Sequence, residues 1–419
     1  MKQIITYTQI LDSRANPTIQ ARYEDENTTL VTAVPSGAST GVHEAHELRD
    51  KGEAYRGKGV LEAIANANEL SEQLDWSAAN VQESDTKLLE IDGTKNKTRL
   101  GANALLAVSL LQTRVQAHQE RKEVYEVVSE LASTSPALPL PFANIINGGM
   151  HAENTLMLQE FMIVPTTADT FSQATRIVSE VYHELKSLIA QKYSPSQTAL
   201  GDEGGFAPNV TDAQEVCELL LQAASQAGHE VSIAIDAAAS EFYRDGRYEA
   251  QQGVFMSAQE LTEYYVQLIK EYPIISLEDP FDQDDASAWS HLVARLAEEQ
   301  LVCQVVGDDL TVSNQERIQL FHEQQACDSL LLKINQIGTI TEAVQAATLA
   351  MSYDWTVMVS HRSGETEDTT IADLAVGLGC GQIKLGAPAR SERVAKYNRL
   401  LTLEQLYSLP LRNDFKRKH

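Results

Sequence analysis

The stretch that decides the fold is Leu330-Leu-Leu-Lys333-Ile-Asn-Gln-Ile-Gly338, a short apolar run that ends in a lysine and leads into a helix-length segment. Short apolar runs bounded by turn residues are typical of strands buried in a parallel sheet. Seven similar runs surround it. The predicted strands are residues 142–146, 161–165, 231–235, 274–277, 301–306, 330–334, 356–359 and 382–385. Eight strands with helical crossovers predict an α/β protein with a C-terminal (β/α)8 barrel.

The second predicted strand, residues 161–165, is expected to run antiparallel to the first. The connection from Gly148 to Met157 is short, whereas a parallel pair needs a crossover of a dozen or more residues. A reversed strand also brings Glu160, which precedes the apolar run, to the barrel end where the other strands finish.

The first third of the chain predicts a smaller α+β domain. Residues 3–11, 18–24 and 28–34 alternate polar and apolar side chains, which is typical of a three-stranded meander. After residue 57 the apolar residues recur at helical spacing. The segment Ser133-Thr-Ser-Pro136 is the best linker. We therefore expect an N-terminal capping domain over residues 1–135 and the barrel over residues 136–419.

Ionisable side chains end six successive strands of the predicted barrel. They are Asp236, Glu278, Asp308, Lys333, His361 with Arg362, and Lys384. The carboxyl ends of barrel strands converge on one mouth, where the active sites of this fold lie. Three carboxylates on one wall repel each other unless a cation lies among them, and oxygen ligands favour Mg²⁺.

The lysines on the opposite wall admit two interpretations. Neighbouring cations disfavour a further positive charge, so we expect the pKa of Lys333 to fall toward neutrality, as a general base requires. The alternative is that Lys333 and Lys384 form salt bridges with the carboxylate wall, because such networks also perturb pKa values.

Composition excludes several function classes. The chain has 419 residues, with 33 Lys and Arg against 59 Asp and Glu, for a net charge of −26. So acidic a chain repels phosphate backbones and anionic lipid, so we expect no nucleic-acid partner. We also expect no membrane span and no targeting segment. The four scattered cysteines favour a reducing cytoplasm.

Three glycine-rich loops add candidates, although each by itself is also consistent with an ordinary turn. Ser36–Gly41 and Asn147–Ala152 carry Ser39 and His151, and Gly201–Gly205 places Glu203 between flexible flanks. Small residues allow such loops to move and to approach a ligand closely.

Together these motifs resemble the enolase family, of bacterial type. The matching stretches span nearly the whole chain in the family's order: Asp12–Thr18, Pro35–Gly41, Asn147–Ala152, Gln159–Met162, Gly201–Gly205, Ser276–Pro280, Gly307–Leu310, Lys333–Gly338, Ser360–Asp368 and Lys384–Asn398. One local departure is Ala15, where the family usually has glycine.

The resemblance implies a glycolytic hydro-lyase, phosphopyruvate hydratase. This enzyme reversibly dehydrates 2-phosphoglycerate to phosphoenolpyruvate through a magnesium-stabilised enolate (aci-carboxylate), and enolase-superfamily sites use a Lys or His base with one or two Mg²⁺. By motif position, Asp236, Glu278 and Asp308 resemble the ligands of the tightly held Mg²⁺. Ser39 resembles the lid ligand of a second Mg²⁺, which gives two per active site.

The same carry-over suggests roles for the remaining residues. Lys333 resembles the base that removes the C2 proton, and Glu203 the acid that protonates the departing C3 hydroxyl. Glu160, His151 and His361 join the catalytic group. The substrate-holding residues are Gln159, Arg362, Ser363, Lys384 and Lys333. Arg362 offers a planar fork suited to phosphate.

Two alternatives stay open from the sequence. An acid-sugar dehydratase or racemase of the wider superfamily typically carries Lys-x-Lys on the second strand, where this chain has Gln159-Glu160-Phe161. The second alternative is an additional role in which the protein binds plasminogen, either on the cell surface or after secretion without a signal peptide. The basic tail 416–419 ends in His419, whereas such proteins typically rely on a terminal lysine. The resemblance also implies a homo-oligomer, either a homodimer or an octamer of dimers.

Overall fold

The N-terminal part of the chain forms a three-stranded antiparallel sheet covered by helices, as predicted. The structure is a computed structural model that describes residues 3–37, 41–152 and 154–415. Strands β1 (Ile4–Leu11), β2 (Pro17–Glu24) and β3 (Thr29–Ala33) pair in that order. Alternation sets the register, because Ile19, Ala21 and Tyr23 of β2 all face the core. The helices of this part are α1 (Leu61–Ser71), α2 (Val81–Asp92), α3 (Ala102–Glu120) and α4 (Val124–Ala132).

The rest of the chain forms a closed eight-stranded barrel, which confirms the predicted fold. The first three barrel strands are β4 (Leu138–Asn147), β5 (Glu160–Val164) and β6 (Ser232–Asp236). Three short strands outside the barrel follow: β7 (Tyr243–Arg244), β8 (Arg247–Gln251) and β9 (Val254–Met256). The last five barrel strands are β10 (Ile274–Glu278), β11 (Gln304–Gly307), β12 (Ser329–Leu332), β13 (Thr356–Ser360) and β14 (Gly381–Lys384). Pairing of β14 with β4 closes the ring. A short strand β15 (Leu411–Arg412) pairs in parallel with the first two residues of β4, Leu138 and Pro139.

Strand β5 is antiparallel to both of its neighbours, so the predicted reversal is confirmed. The remaining neighbouring pairs of the ring are parallel. The outer helices are α5 (Phe171–Lys192), α6 (Ala213–Gln226), α7 (Ala258–Glu271), α8 (Ala286–Glu298), α9 (Gln315–Glu323), α10 (Ile334–Ile337), α11 (Ile340–Ser352), α12 (Thr370–Leu378) and α13 (Ser391–Tyr407). Two helices, α5 and α6, follow β5 and return the chain to the parallel direction of β6.

The sequence did not predict the small sheet β7–β9, which lies outside the barrel ring. The boundary near residue 136 falls between α4 and β4 and stays a prediction. Among the described residues, we find no helix whose length and apolar character would let it span a bilayer.

Candidate active site

The three predicted carboxylate ligands lie at the ends of adjacent strands. Asp236 and Glu278 are directly opposite each other in the β6–β10 register, and Asp308 follows β11, the next strand of the ring. All three side chains are buried. Burial of several carboxylates at one barrel mouth is costly unless a positive charge compensates them.

Lys384 supplies such a charge in this structure. Its Nζ lies 2.9 Å from Asp236 Oδ2, 2.9 Å from Glu278 Oε1 and 3.0 Å from Glu160 Oε2. Burial lowers the pKa of Lys384, but the charges of the three carboxylates outweigh it and hold that pKa well above its usual value. Carboxylate oxygens from three strands therefore converge on one cation, and the donor set suits a hard ion such as Mg²⁺.

Asp308 points to a different partner from the other two carboxylates. It accepts hydrogen bonds from Lys333 Nζ and from Gln336 Nε2, the latter at 2.7 Å. One of its carboxylate oxygens lies within 4.8 Å of one oxygen of Asp279 and one of Asp309. Asp236 and Glu278 thus meet at Lys384, while Asp308 belongs to a neighbouring acidic group.

Asp279 and Asp309 are site residues that sequence reasoning missed. Asp279 accepts the backbone N–H groups of Asp308 and Asp309, each at 2.9 Å. Both acids lie inside the quoted motifs Ser276–Pro280 and Gly307–Leu310, directly after Glu278 and Asp308. The doubled acid in each motif was the signal available in the sequence.

Lys333 is paired with Asp308, as the salt-bridge alternative predicts. Burial lowers the pKa of Lys333, but the Asp308 carboxylate outweighs burial and raises that pKa above its usual value. With the protein's own groups alone, the expected fall of this pKa toward neutrality is not found. The lysine still lies where a base is predicted, on the lining of the barrel-mouth cavity.

A second buried cluster lines the same cavity. His151 Nδ1 lies 3.3 Å from Glu160 Oε1 and 3.7 Å from Glu203 Oε1, and His361 Nε2 lies 3.2 Å from Glu203 Oε2. Asn144 Nδ2 donates to Glu203 Oε2 at 3.0 Å. These contacts bring together four of the five predicted catalytic residues.

The two carboxyl groups of this cluster have opposite pKa shifts. Burial and the charge of Glu203 raise the pKa of Glu160. Burial also raises the pKa of Glu203, but His361 and His151 outweigh burial and hold that pKa well below its usual value. Neighbouring acids whose pKa values are pushed apart are a common property of acid–base sites.

The predicted substrate-holding residues lie at the same mouth. Gln159, Arg362, Ser363 and Lys384 line the cavity. Arg362 is buried and donates to Glu44 and, at 3.0 Å, to Asn335 Oδ1. No motif or spacing in the sequence singles out Glu44. Ser39, the predicted second-metal ligand, lies outside the described residues, as does the tail 416–419.

Fold and site together define a barrel enzyme with facing acid and base groups beside an oxygen-rich cation site. Residues 135–409 match the family model described as "Enolase, C-terminal TIM barrel domain", and residues 3–128 match "Enolase, N-terminal domain". The chain belongs to the enolase family and is a lyase of the enolase superfamily.

Proposed function

We propose that the protein is a phosphopyruvate hydratase that reversibly dehydrates 2-phosphoglycerate to phosphoenolpyruvate with two Mg²⁺. The observation that carries this proposal is the opposition of Lys333 and Glu160 across the barrel. Lys333 follows β12, and Glu160 begins β5, which stands four strands away in either direction around the ring. Glu203 lies beside Glu160 through their shared partner His151.

This opposition suits removal of two groups from opposite sides of a small substrate. Lys333 takes the C2 proton, and the electrons of the C2–H bond move into the substrate carboxyl group to give an enolate. These electrons then form the C2–C3 double bond as the C3–O bond breaks. Glu203 passes to the leaving hydroxyl a proton that it receives from the neighbouring Glu160 and His151, and the hydroxyl leaves as water; the raised pKa of Glu160 favours the protonated form of that carboxyl group. Proton transfer by a well-placed side chain contributes about 10²–10⁴-fold to rate.

The protein's own groups hold the substrate in this proposal. Arg362 donates its fork to the phosphate, and Lys384 faces the carboxyl group that gains charge as C2 loses its proton. Mg²⁺ held by Asp236, Glu278 and Asp308 would supply further positive charge there and would compete with Lys333 for Asp308, which lowers the pKa of the lysine.

The test follows phosphoenolpyruvate formation from 2-phosphoglycerate, with and without a chelator. We expect the chelator to abolish turnover and Lys333→Ala to lower kcat by about 10³-fold or more, because the base is removed. Lys95→Ala is the control, since this lysine is exposed, pairs with Glu316, and does not line the barrel-mouth cavity. Full turnover by Lys333→Ala would contradict the base assignment. Activity only on acid sugars would favour the alternative within the superfamily.

The remaining expectations are proposals without a structural test. They are the bacterial type, a homodimer or octamer of dimers, the cytoplasmic location, and plasminogen binding at the surface. Oligomeric state is measurable by sedimentation, and surface display by detection on washed, intact cells.

A further inference from the structure

Arg393 is a fully buried arginine in the first turn of α13 to which the proposed mechanism gives no role. Its exposed fraction is 0%. Nη1 donates to His361 Nδ1 at 2.9 Å and to the Arg362 carbonyl at 2.6 Å. Nη2 donates to the Ser363 carbonyl at 2.8 Å and to the Asp202 carbonyl at 3.2 Å. A buried guanidinium is costly unless its donors are used; here the two Nη atoms reach four acceptors, while Nε has no hydrogen-bond partner.

The bond to His361 fixes which ring nitrogen carries the proton. An arginine is always protonated in proteins and can only donate. His361 Nδ1 must therefore accept, so the neutral ring carries its proton on Nε2. Nε2 is the atom that lies 3.2 Å from Glu203 Oε2, although the two atoms are not aligned as a hydrogen bond. Arg393 thus sets the ring so that an N–H, and not a lone pair, faces the proposed acid.

The charge of Arg393 also opposes a second proton on the same ring. Burial lowers the pKa of His361 to about 4, Glu203 acts against this, and Arg393 adds to it. The charged groups that face His361 are Glu203, Arg393 and, more weakly, Glu365. On its other side Glu203 faces His151. A neutral His361 adds no charge beside Glu203, so His151 and Arg393 remain as the cationic neighbours that lower the pKa of Glu203.

The carbonyl contacts join two loops of the site. Asp202 directly precedes Glu203, and the Arg362 and Ser363 carbonyls belong to the segment that carries the proposed phosphate fork. The guanidinium group of Arg393 therefore holds two segments at a fixed separation: the acid loop, Gly201–Gly205, and the phosphate-binding segment that contains Arg362 and Ser363. Misplacement by about 1 Å can cost roughly 10²-fold in rate.

We propose that Arg393 is a positioning residue that keeps the His361 ring neutral with its Nε2–H beside Glu203 and ties the acid loop to the phosphate-binding segment. The role deepens the proposed function and rests on it for its effect on turnover. The state of the His361 ring, however, is measurable without substrate.

The experiment records ¹⁵N spectra of histidine-labelled full-length protein between pH 5 and 9. The His361 signals among the ten histidines are assigned with His361→Gln. Wild type is expected to show a protonated Nε2 and an unprotonated Nδ1 across this range. In Arg393→Met, we expect the pKa of His361 to rise by about one unit or more, because the opposing charge is gone. We expect kcat for 2-phosphoglycerate to fall about 10²-fold, because the loops are no longer tied.

Two further variants separate positioning from a merely structural role. Arg393→Lys keeps the charge, so His361 should stay neutral and kcat should recover in part. Arg399→Lys is the matched control. Arg399 lies about two turns further along the same helix and binds Asp373 and Glu123, so its substitution should leave the His361 signals unchanged. If Arg393→Met does not fold, wild type and Arg393→Lys decide.

A His361 ring that is protonated on Nδ1 in wild type, or that keeps its wild-type signals in Arg393→Met, would overturn the proposal. Absence of phosphoenolpyruvate formation by wild type would overturn the proposed function instead and leave the ring measurement valid.

Discussion

Glu44, in the segment between β3 and α1, forms a bidentate ion pair with Arg362 of the barrel. Arg362 Nη1 lies 3.1 Å from Glu44 Oε2, and Nη2 lies 3.2 Å from Oε1. Both side chains are less than a tenth exposed. Paired N–H donors recognise carboxylate and phosphate through the same geometry. Glu44 therefore holds the fork that we propose for the substrate phosphate.

Glu44→Gln should strengthen binding of inorganic phosphate by about tenfold, because a charged competitor for the Arg362 fork becomes neutral. Isothermal titration with phosphate measures this change. Glu316→Gln is the matched control, since Glu316 pairs with Lys95 on the surface. Unchanged or weaker binding by Glu44→Gln would mean that Glu44 organises the fork and does not compete for it.

Asp279→Asn should weaken Mg²⁺ binding about 10–100-fold, the usual cost of losing a residue that orients a metal ligand. The amide can accept only one of the two backbone N–H groups that position Asp308 and Asp309. Asp328→Asn is a matched control, because Asp328 accepts the Val305 N–H at the opposite end of β11. Titration with Mg²⁺ under calorimetry checks both variants. Equal affinity of wild type and Asp279→Asn would contradict the role of this clamp.

The barrel was predictable because its strands are buried on both faces and read as short apolar runs. The reversal of β5 was predictable from one short connection. The small sheet β7–β9 was not, because Arg247-Tyr-Glu-Ala-Gln251 mixes charged and apolar residues on a partly exposed hairpin. It has tight turns at Gly246 and Gly253, both with positive φ, and of β8 only Tyr248 and Ala250 are buried in the apolar core, which is too weak an alternation to mark a strand.

The site was predictable as a set of positions but not as a set of partners. Strand ends showed which acids and bases share the barrel mouth. Which lysine pairs with which carboxylate depends on side-chain reach across the ring. The sequence therefore predicted a salt bridge of Lys333 only as one of two interpretations and did not identify Asp308 as its partner. Glu44, Asp279 and Arg393 act through other residues, and no spacing in the sequence marks that kind of role.

Lys384→Met should lower the free energy of unfolding at neutral pH by about 3–5 kcal/mol. The substitution leaves the buried carboxylates of Glu160, Asp236 and Glu278 without the ammonium group that they share. Their repulsion would further raise the pKa values of Glu160 and Glu278, which burial already raises, so the folded variant binds more protons than its unfolded state. The deficit should then be largest above about pH 5 and shrink as the pH falls.

Urea denaturation of wild type and Lys384→Met, with and without Mg²⁺, measures this deficit. Added Mg²⁺ should recover part of the lost stability. Lys396→Met is the control, because this buried lysine pairs with Glu365 away from the carboxylate wall and its deficit should not respond to Mg²⁺. Equal responses of both variants to Mg²⁺ would count against a cation site at Lys384.

Asp85 makes stability depend on pH at the junction of α2 and α11. Its carboxylate is fully buried and accepts the Thr341 N–H at 2.9 Å, and burial raises its pKa to about 6. An unfolded aspartate has a pKa of about 3.9, so between pH 4 and pH 6 the folded state binds more protons than the unfolded state. The free energy of unfolding is therefore expected to fall by up to about 3 kcal/mol as the pH rises from 4 to 6. Asp85→Asn keeps an acceptor for Thr341 and carries no charge, so it should match wild type near pH 4 and exceed its stability at pH 7. Urea midpoints of both proteins from pH 4 to 8 check this, and parallel curves would show that Asp85 stays ionised in the folded protein at no cost.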